Sequence, residues 1–218
     1  MQFEVAREQM VKQQIRSWEV LDDRVIDTLQ RLPRERFVPD AYRDAAYADS
    51  AIPLGHGEHM LPPKIVGRFL QALDLCERDS VLEVGSGSGY LTAAMAMQSA
   101  RVRSIDRHAD FVTAARARIA SLGLGNTDLA VADAFKAGAL GEASYDAVVL
   151  TGSMPVYDTR FEQRLAVGGR LLVVIGSAPV MEATLVRRVS ATEWIRFGLF
   201  ETVIDPLVGA PTAPAFHF

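Results

Sequence analysis

The chain has a single cysteine, Cys76. No intramolecular disulfide can form, and a reducing compartment is the natural setting. Cys76 closes the apolar helical pattern LQALDLCERD, where a structural position is expected rather than a nucleophile. No apolar run approaches the roughly 20 residues that a membrane span needs. The opening MQFEVAREQM mixes charges and lacks the basic-then-apolar layout of a signal peptide. A soluble, cytoplasmic protein is therefore expected. Runs of Lys or Arg are also missing. The 23 basic residues are scattered among 27 acidic ones, for a net charge of -4, which argues against a nucleic-acid face. Internal repeats and low-complexity linkers are absent.

The 218 residues are 49% hydrophobic. That suits one substantial α/β domain and is short for two. Residues 1–50 read as helices, with Phe3, Ala6 and Met10 on one face. Asp22/Asp23 is placed to cap a second helix carrying Val25, Leu29 and Leu32, and Pro33 ends it. Pro62 and Pro63 suit the first turn of another helix, with Ile65, Val66, Phe69, Leu70 and Leu73 on its buried face. From Ser80 the rhythm becomes strand and helix in alternation. The strands are SVLEVG, RVRSID, TDLAVAD, SYDAVVLTG and GGRLLVVIG, with a helix near Thr159–Leu165 before the last. MEATLVRRVS and WIRFGLFETV read as antiparallel strands. The expected fold is α/β: a Rossmann-like, doubly wound and mostly parallel sheet, with antiparallel C-terminal strands and an N-terminal helical addition. Residues 1–218 are taken as one domain. Residues 1–62 form the helical segment and a substrate loop, and residues 63–218 the α/β core.

The first strand runs into Glu83-Val-Gly85-Ser86-Gly87-Ser-Gly89-Tyr90. A glycine turn from strand to helix lets the backbone approach a ligand and aims helix amides at it. Dinucleotide loops space their glycines G-x-G-x-x-G; here the spacing is G-x-G-x-G. The P-loop pattern G-x-x-x-x-G-K-[ST] is absent. The spacing, with an acid two residues before the first glycine, suits a cofactor with an amino-acid end and no pyrophosphate. The second strand ends in Asp106-Arg107, where a carboxylate can accept both ribose hydroxyls. The third ends in Ala132-Asp133-Ala134, where a carboxylate can accept an adenine amino hydrogen. Together these acids and the glycine loop describe S-adenosyl-L-methionine. The expected binding set is Glu83, Gly85, Ser86, Gly87, Gly89, Asp106, Arg107, Asp133 and Ala134.

VLEVGSGSGY, SIDR and VADAF resemble the class I S-adenosylmethionine-dependent methyltransferases. MVKQQIRSWEVLDDRVIDTLQRLPRERFVPDAY, AYADSAIPLGHGEHMLPPKIVGRFLQAL, YDAVVLTGS and QRLAVGGRLLVVIG are similar to segments of the protein-L-isoaspartate O-methyltransferases. The likeness spans residues 8 to 177 and is weak in the tail. It implies carboxyl methylation of isoaspartyl-containing proteins or peptides, with S-adenosyl-L-homocysteine as product.

GHGEHMLPP, from Gly55 to Pro63, is where the chain departs from that family. Two histidines and a carboxylate fall at His56, Glu58 and His59, but helical zinc sites use H-E-x-x-H. The other histidines, His108 and His217, are distant in sequence, and no metal is expected. In the family this loop resembles G-Q-T-[IV]-S-x-P, whose hydroxyls hold the substrate carboxylate. Here Glu58, His59, Met60 and Leu61 stand for Gln, Thr, Ile and Ser. Loss of one such hydroxyl costs about 1–3 kcal/mol if nothing replaces it. His59 is a candidate replacement donor, Leu61 takes the serine's place, and Ser153 of the TGS turn is another candidate hydroxyl. Two alternatives stay open: a methyltransferase of this fold with a different, small-molecule acceptor, and a non-catalytic S-adenosylmethionine-binding protein.

Overall fold

The computed structural model describes residues 3–212. Residues 213–218, the end of the Pro/Ala-rich tail and the site of His217, lie outside the described residues. Helix α1 (Phe3–Met10) runs on through a wider π-type turn at Val11–Ile15 and a 3-10 turn at Arg16–Trp18. Helix α2 (Asp23–Arg31) is capped as its sequence implies: Asp22 accepts a hydrogen bond from the Arg24 amide at 2.8 Å. Two further 3-10 turns lead to the strands β1 (Ile52–Gly55) and β2 (Glu58–Met60). Helix α3 (Pro63–Leu73) follows with Pro in its first turn, and all five expected apolar positions are buried.

The remaining elements are β3 (Ser80–Val84), α4 (Tyr90–Ala96), β4 (Arg101–Asp106), α5 (Ala109–Ala120), β5 (Thr127–Val131), β6 (Tyr145–Met154), β7 (Leu165–Ser177), β8 (Val180–Arg188) and β9 (Trp194–Glu201). Strands β3 to β9 form one sheet in the order β5-β4-β3-β6-β7-β8-β9. The first five are parallel to their neighbours, and β8 and β9 are antiparallel. This is the Rossmann-like arrangement expected. The chain winds outward from β3 to β5, then returns to the other side of β3 with β6. Ligands in such sheets bind beyond the carboxyl ends of the strands at that reversal.

Side-chain alternation divides the core between the two sheet faces. Val81, Ala147, Val149, Leu172 and Val174 join the N-terminal helices, α3 and α4 in one cluster. Leu82, Val148, Leu150, Leu171 and Val173 face a second cluster with Phe161, Leu140 and Met154.

The helix expected at 159–165 is not formed. Glu162–Arg164 makes one 3-10 turn, and Leu165 already belongs to β7. Side chains hold this segment instead. Phe161 is fully buried, Tyr157 and Arg196 both bind the Glu162 carboxylate, and Trp194 Nε1 donates to the Glu162 carbonyl. Among the described residues no helix is long and apolar enough to cross a membrane.

Candidate active site

The glycine turn leaves β3 with Gly85, Gly87 and Gly89 all at positive φ, where only glycine is free of strain. At Gly85 the space is also closed, since a Cβ would lie 2.2 Å from Thr151 Oγ1. That hydroxyl donates to the carbonyls of Val84 and Gly85, at 3.1 and 2.7 Å, and so locks β6 to the turn.

Asp106, at the end of β4, closes the turn from the other side. Its Oδ2 accepts from the Gly87 amide at 2.9 Å and from Ser86 Oγ at 3.4 Å, and its Oδ1 accepts from the His108 amide at 2.9 Å. Glu83 is fully buried in β3. Ser104 and Thr92 donate to its Oε2, while Oε1 has no hydrogen-bond partner among the described residues. Burial raises the Glu83 carboxyl to about 8, and the nearby Asp106 charge pushes the same way against the two hydroxyl bonds.

A cavity of about 420 Å³ opens above these groups, within the range of small-molecule sites. Glu83, Gly85, Ser86, Gly87 and Asp106 line one end; Leu54, Glu58, His59, Met60 and Leu61 line another. A smaller cleft beside it is lined by Asp106, Arg107, Asp133, Ala134 and Phe135. The Asp133 carboxylate there accepts from the Phe135 amide at 3.0 Å.

The GHGEHMLPP stretch is a β-hairpin rather than an irregular loop. β1 and β2 pair antiparallel around a two-residue turn at His56 and Gly57, both at positive φ. That is the turn geometry whose twist suits a tight hairpin. The hairpin rests on the glycine turn, because a Cβ on Gly87 would meet Leu54 Cδ1 at 3.2 Å.

Its polar side chains diverge. His56 Nε2 lies 3.0 Å from Asp110 Oδ2, His108 Nε2 lies 3.3 Å from Glu58 Oε1, and His59 Nδ1 lies 2.9 Å from Asp205 Oδ2. The hairpin is thus pinned to the β4–α5 connection on one side and to the C-terminal segment on the other. His108, set apart in sequence, stacks on His56 with ring centroids 4.0 Å apart. With Asp110 the two rings form a group of possible metal ligands. Their planes differ by only 9°, so their in-plane lone pairs run side by side instead of converging on one ion.

Beneath the hairpin sits Arg34, fully buried and without a carboxylate partner among the described residues. Its Nε donates to the Ala46 carbonyl and its Nη2 to the Leu61 carbonyl, each at 2.8 Å. The guanidinium lies 4.8 Å over the Tyr90 ring. Burial lowers the Arg34 guanidinium to about 10 and raises the Tyr90 phenol to about 12. Tyr90 therefore packs beneath Arg34 and against Phe37, with its ring at the cavity wall.

Most of the sequence-picked residues meet around the two cavities: Glu83, Gly85, Ser86, Gly87, Asp106, Arg107, Asp133, Ala134, His59 and Leu61. Two do not. Ser153 is fully buried in β6, and its hydroxyl faces the Ile204 carbonyl at 3.4 Å, so it offers nothing to the cavity. Gly89 lines neither space. Its missing Cβ lets α5 approach, since a Cβ there would sit 2.8 Å from Ala115 Cβ. Cys76 is exposed in the turn after α3, with its thiol on Asp79, and does not line the cavity.

The sequence reading missed Thr151, Met181 and the stretch Val203–Leu207. That stretch runs beside the end of β6 through Ser153 N to Asp205 O and Leu207 N to Ser153 O. Nothing in the sequence ties Asp205 to His59, 146 residues away.

A family model described as protein-L-isoaspartate(D-aspartate) O-methyltransferase matches residues 5–204. A protein-L-isoaspartate O-methyltransferase of Koribacter versatilis (strain Ellin345) is 33% identical over 207 residues, covering 95% of this chain and 92% of that one. The protein-L-isoaspartate O-methyltransferase 1 of Rhodopseudomonas palustris (strain HaA2) is 38% identical over 175 residues, covering 80% of this chain and 71% of its own. Among solved structures, a putative protein-L-isoaspartate O-methyltransferase from Plasmodium falciparum, crystallised with S-adenosyl-L-homocysteine, superposes with a TM-score of 0.78. It is 20% identical and covers 92% of this chain and 97% of its own. That likeness is one of fold.

Proposed function

The chain belongs to the protein-L-isoaspartate(D-aspartate) O-methyltransferase family, and from that premise we propose that it methylates the free carboxylate of isoaspartyl residues in damaged proteins, using S-adenosyl-L-methionine. One observation carries this reading. A single cavity joins the glycine turn and Asp106 to the inner face of the hairpin, so a cofactor at one end meets an acceptor at the other.

The donor set suits S-adenosyl-L-methionine. Asp106 faces the place for ribose hydroxyls, and Asp133, Ala134 and Arg107 line the cleft for adenine. Glu83 lines the cavity and keeps one buried carboxyl oxygen without a partner among the described residues, which suits a cationic amino-acid end. Gly85, Ser86 and Gly87 supply close backbone. Gly89 acts through packing, and Ser153 has no part. When bound, S-adenosyl-L-methionine supplies a methyl carbon on cationic sulfur, which a carboxylate oxygen attacks as the C–S electron pair returns to sulfur, so that a methyl ester and S-adenosyl-L-homocysteine form without proton transfer.

The protein's own task is then positioning and exclusion of water. Opposite charges are lost in the transition state, which a dry site favours, and alignment can contribute up to roughly 7–11 kcal/mol. Leu54, Met60, Leu61 and Leu207 make much of the wall apolar. In this reading residues 1–62 bring the acceptor side and residues 63–218 the cofactor side of one methyltransferase domain. The single Cys76 suits a reducing, cytoplasmic setting.

The test uses labelled S-adenosyl-L-methionine with two matched peptides, one isoaspartyl and one aspartyl. Base-labile label in the isoaspartyl peptide alone is the expected result. Label in neither, from a chain that binds S-adenosyl-L-methionine by calorimetry, overturns the acceptor assignment. Label in a hydroxyl or amine compound instead points to a changed acceptor.

A further inference from the structure

Resting on the carboxyl-methylation reading, we infer that His59, oriented by Asp205, is the clamp that binds the acceptor carboxylate. A carboxylate entering an apolar cavity loses hydration and needs donors there. Among the described residues that line the cavity there is no Lys or Arg. Thr151 donates its hydroxyl to Val84 and Gly85, and Ser86 lies on Asp106; Ser88 Oγ accepts from the Tyr90 amide, and the Tyr90 hydroxyl is buried without a partner among the described residues. Among the described residues, His59 is the one lining side chain able to carry positive charge.

Its geometry fits the task. Asp205 Oδ2 accepts from both the His59 amide, at 2.8 Å, and Nδ1, at 2.9 Å. One carboxylate oxygen thus fixes the backbone and the ring together and places a proton on Nδ1. Nε2 has no hydrogen-bond partner among the described residues. With a proton on Nε2 as well, the ring is an imidazolium between two carboxylates, Asp205 on one side and the acceptor on the other. Such charge-assisted bonds are about twice as strong as neutral ones, so this arrangement takes over from the hydroxyl donors replaced at His59 and Leu61. Asp205 is a positioning residue; His59 makes the contact.

The other titratable groups on the cavity are Glu58, held by His108, together with Glu83, Asp106 and Tyr90. A clamp and a general base have opposite pH signatures. A clamp works as the imidazolium and fails as pH rises. A base works as the neutral imidazole and fails as pH falls.

The experiment measures kcat/KM for the isoaspartyl peptide across the histidine titration range in wild type, His59→Gln and Asp205→Asn. Calorimetry with S-adenosyl-L-homocysteine checks that each variant is folded. The expected wild-type kcat/KM falls with rising pH, through KM rather than kcat. His59→Gln lowers it about 10- to 100-fold at the acid end, the scale of a lost charged hydrogen bond, and abolishes the His-dependent fall. Asp205→Asn leaves the His59 amide and ring without their shared carboxylate, and KM for the peptide rises while S-adenosyl-L-homocysteine affinity holds. Glu83 remains in every variant, so its titration is common to all three profiles. A wild-type profile superimposable on that of His59→Gln overturns the clamp and leaves carboxyl methylation standing. A His59-dependent rise with pH also overturns it and makes His59 a base. No transfer to the peptide at any pH, with the cofactor bound, removes the reading on which the clamp rests, and the clamp with it.

Discussion

Arg34 Nη2 donates to the carbonyl oxygen of Leu61 at 2.8 Å, across 27 residues. This bond ties the segment after α2 to the end of the hairpin that walls the cavity. The same guanidinium holds Ala46 through Nε. Arg34→Ala leaves two carbonyls without their donor and a cavity over the Tyr90 ring. A loss of about 2–5 kcal/mol of stability is expected. Arg34→Lys restores only part of it, because an ammonium lacks the planar fork that reaches both carbonyls. Urea denaturation measures both; wild-type stability in the alanine variant would contradict the anchoring role.

Glu83 makes stability depend on pH. Its folded carboxyl sits at about 8 against an ordinary 4.5, chiefly through burial. Below about 4.5 both folded and unfolded chains hold the proton. Between 4.5 and 8 only the folded chain holds it, so this contribution to stability declines as pH rises and levels off above about 8. Glu83→Gln carries no such proton. The stability of wild type relative to Glu83→Gln is expected to fall from pH 5 to 8 in urea titrations; a constant difference would place the carboxyl at an ordinary value.

Asp106 is proposed to receive the ribose hydroxyls while bonding the Gly87 amide. Asp106→Ala is expected to weaken S-adenosyl-L-methionine binding by about 1–3 kcal/mol. Calorimetry on the folded variant measures it, and unchanged affinity would remove Asp106 from the cofactor site.

Two glycines separate steric from conformational cost. A Cβ on Gly85 meets Thr151 Oγ1 at 2.2 Å, whereas one on Gly57 meets nothing within 4 Å. Both have positive φ. Gly57→Ala is expected to cost about 1–2 kcal/mol, the backbone term alone. Gly85→Ala adds overpacking of about 1–3 kcal/mol and displaces the turn, so cofactor affinity falls as well. Thermal denaturation and calorimetry on the pair check this; equal costs would mean that Thr151 yields freely.

The parallel strands and the helices α2 to α5 were legible because their signals are local. The Asp22 cap, the Pro62-Pro63 start and the apolar face of Ile65 to Leu73 all act within a few residues of chain. The segment 159–165 was misread for the same reason in reverse. Its short apolar pattern allows a helix, but Glu162 is held by Trp194 and Arg196 from β9, a contact that no local pattern records.

By itself the sequence determined the order of strands and helices, the glycine turn, and the acids at successive strand ends, since a strand-turn-helix places those residues by short-range geometry. Tertiary structure alone decided which of them face the cavity. It set Gly89 against Ala115, sank the Ser153 hydroxyl against the Ile204 carbonyl, stacked His108 on His56, and brought Asp205 to His59. Each of these pairings closes a loop of 26 to 146 residues, and its register depends on how whole elements pack rather than on any spacing along the chain.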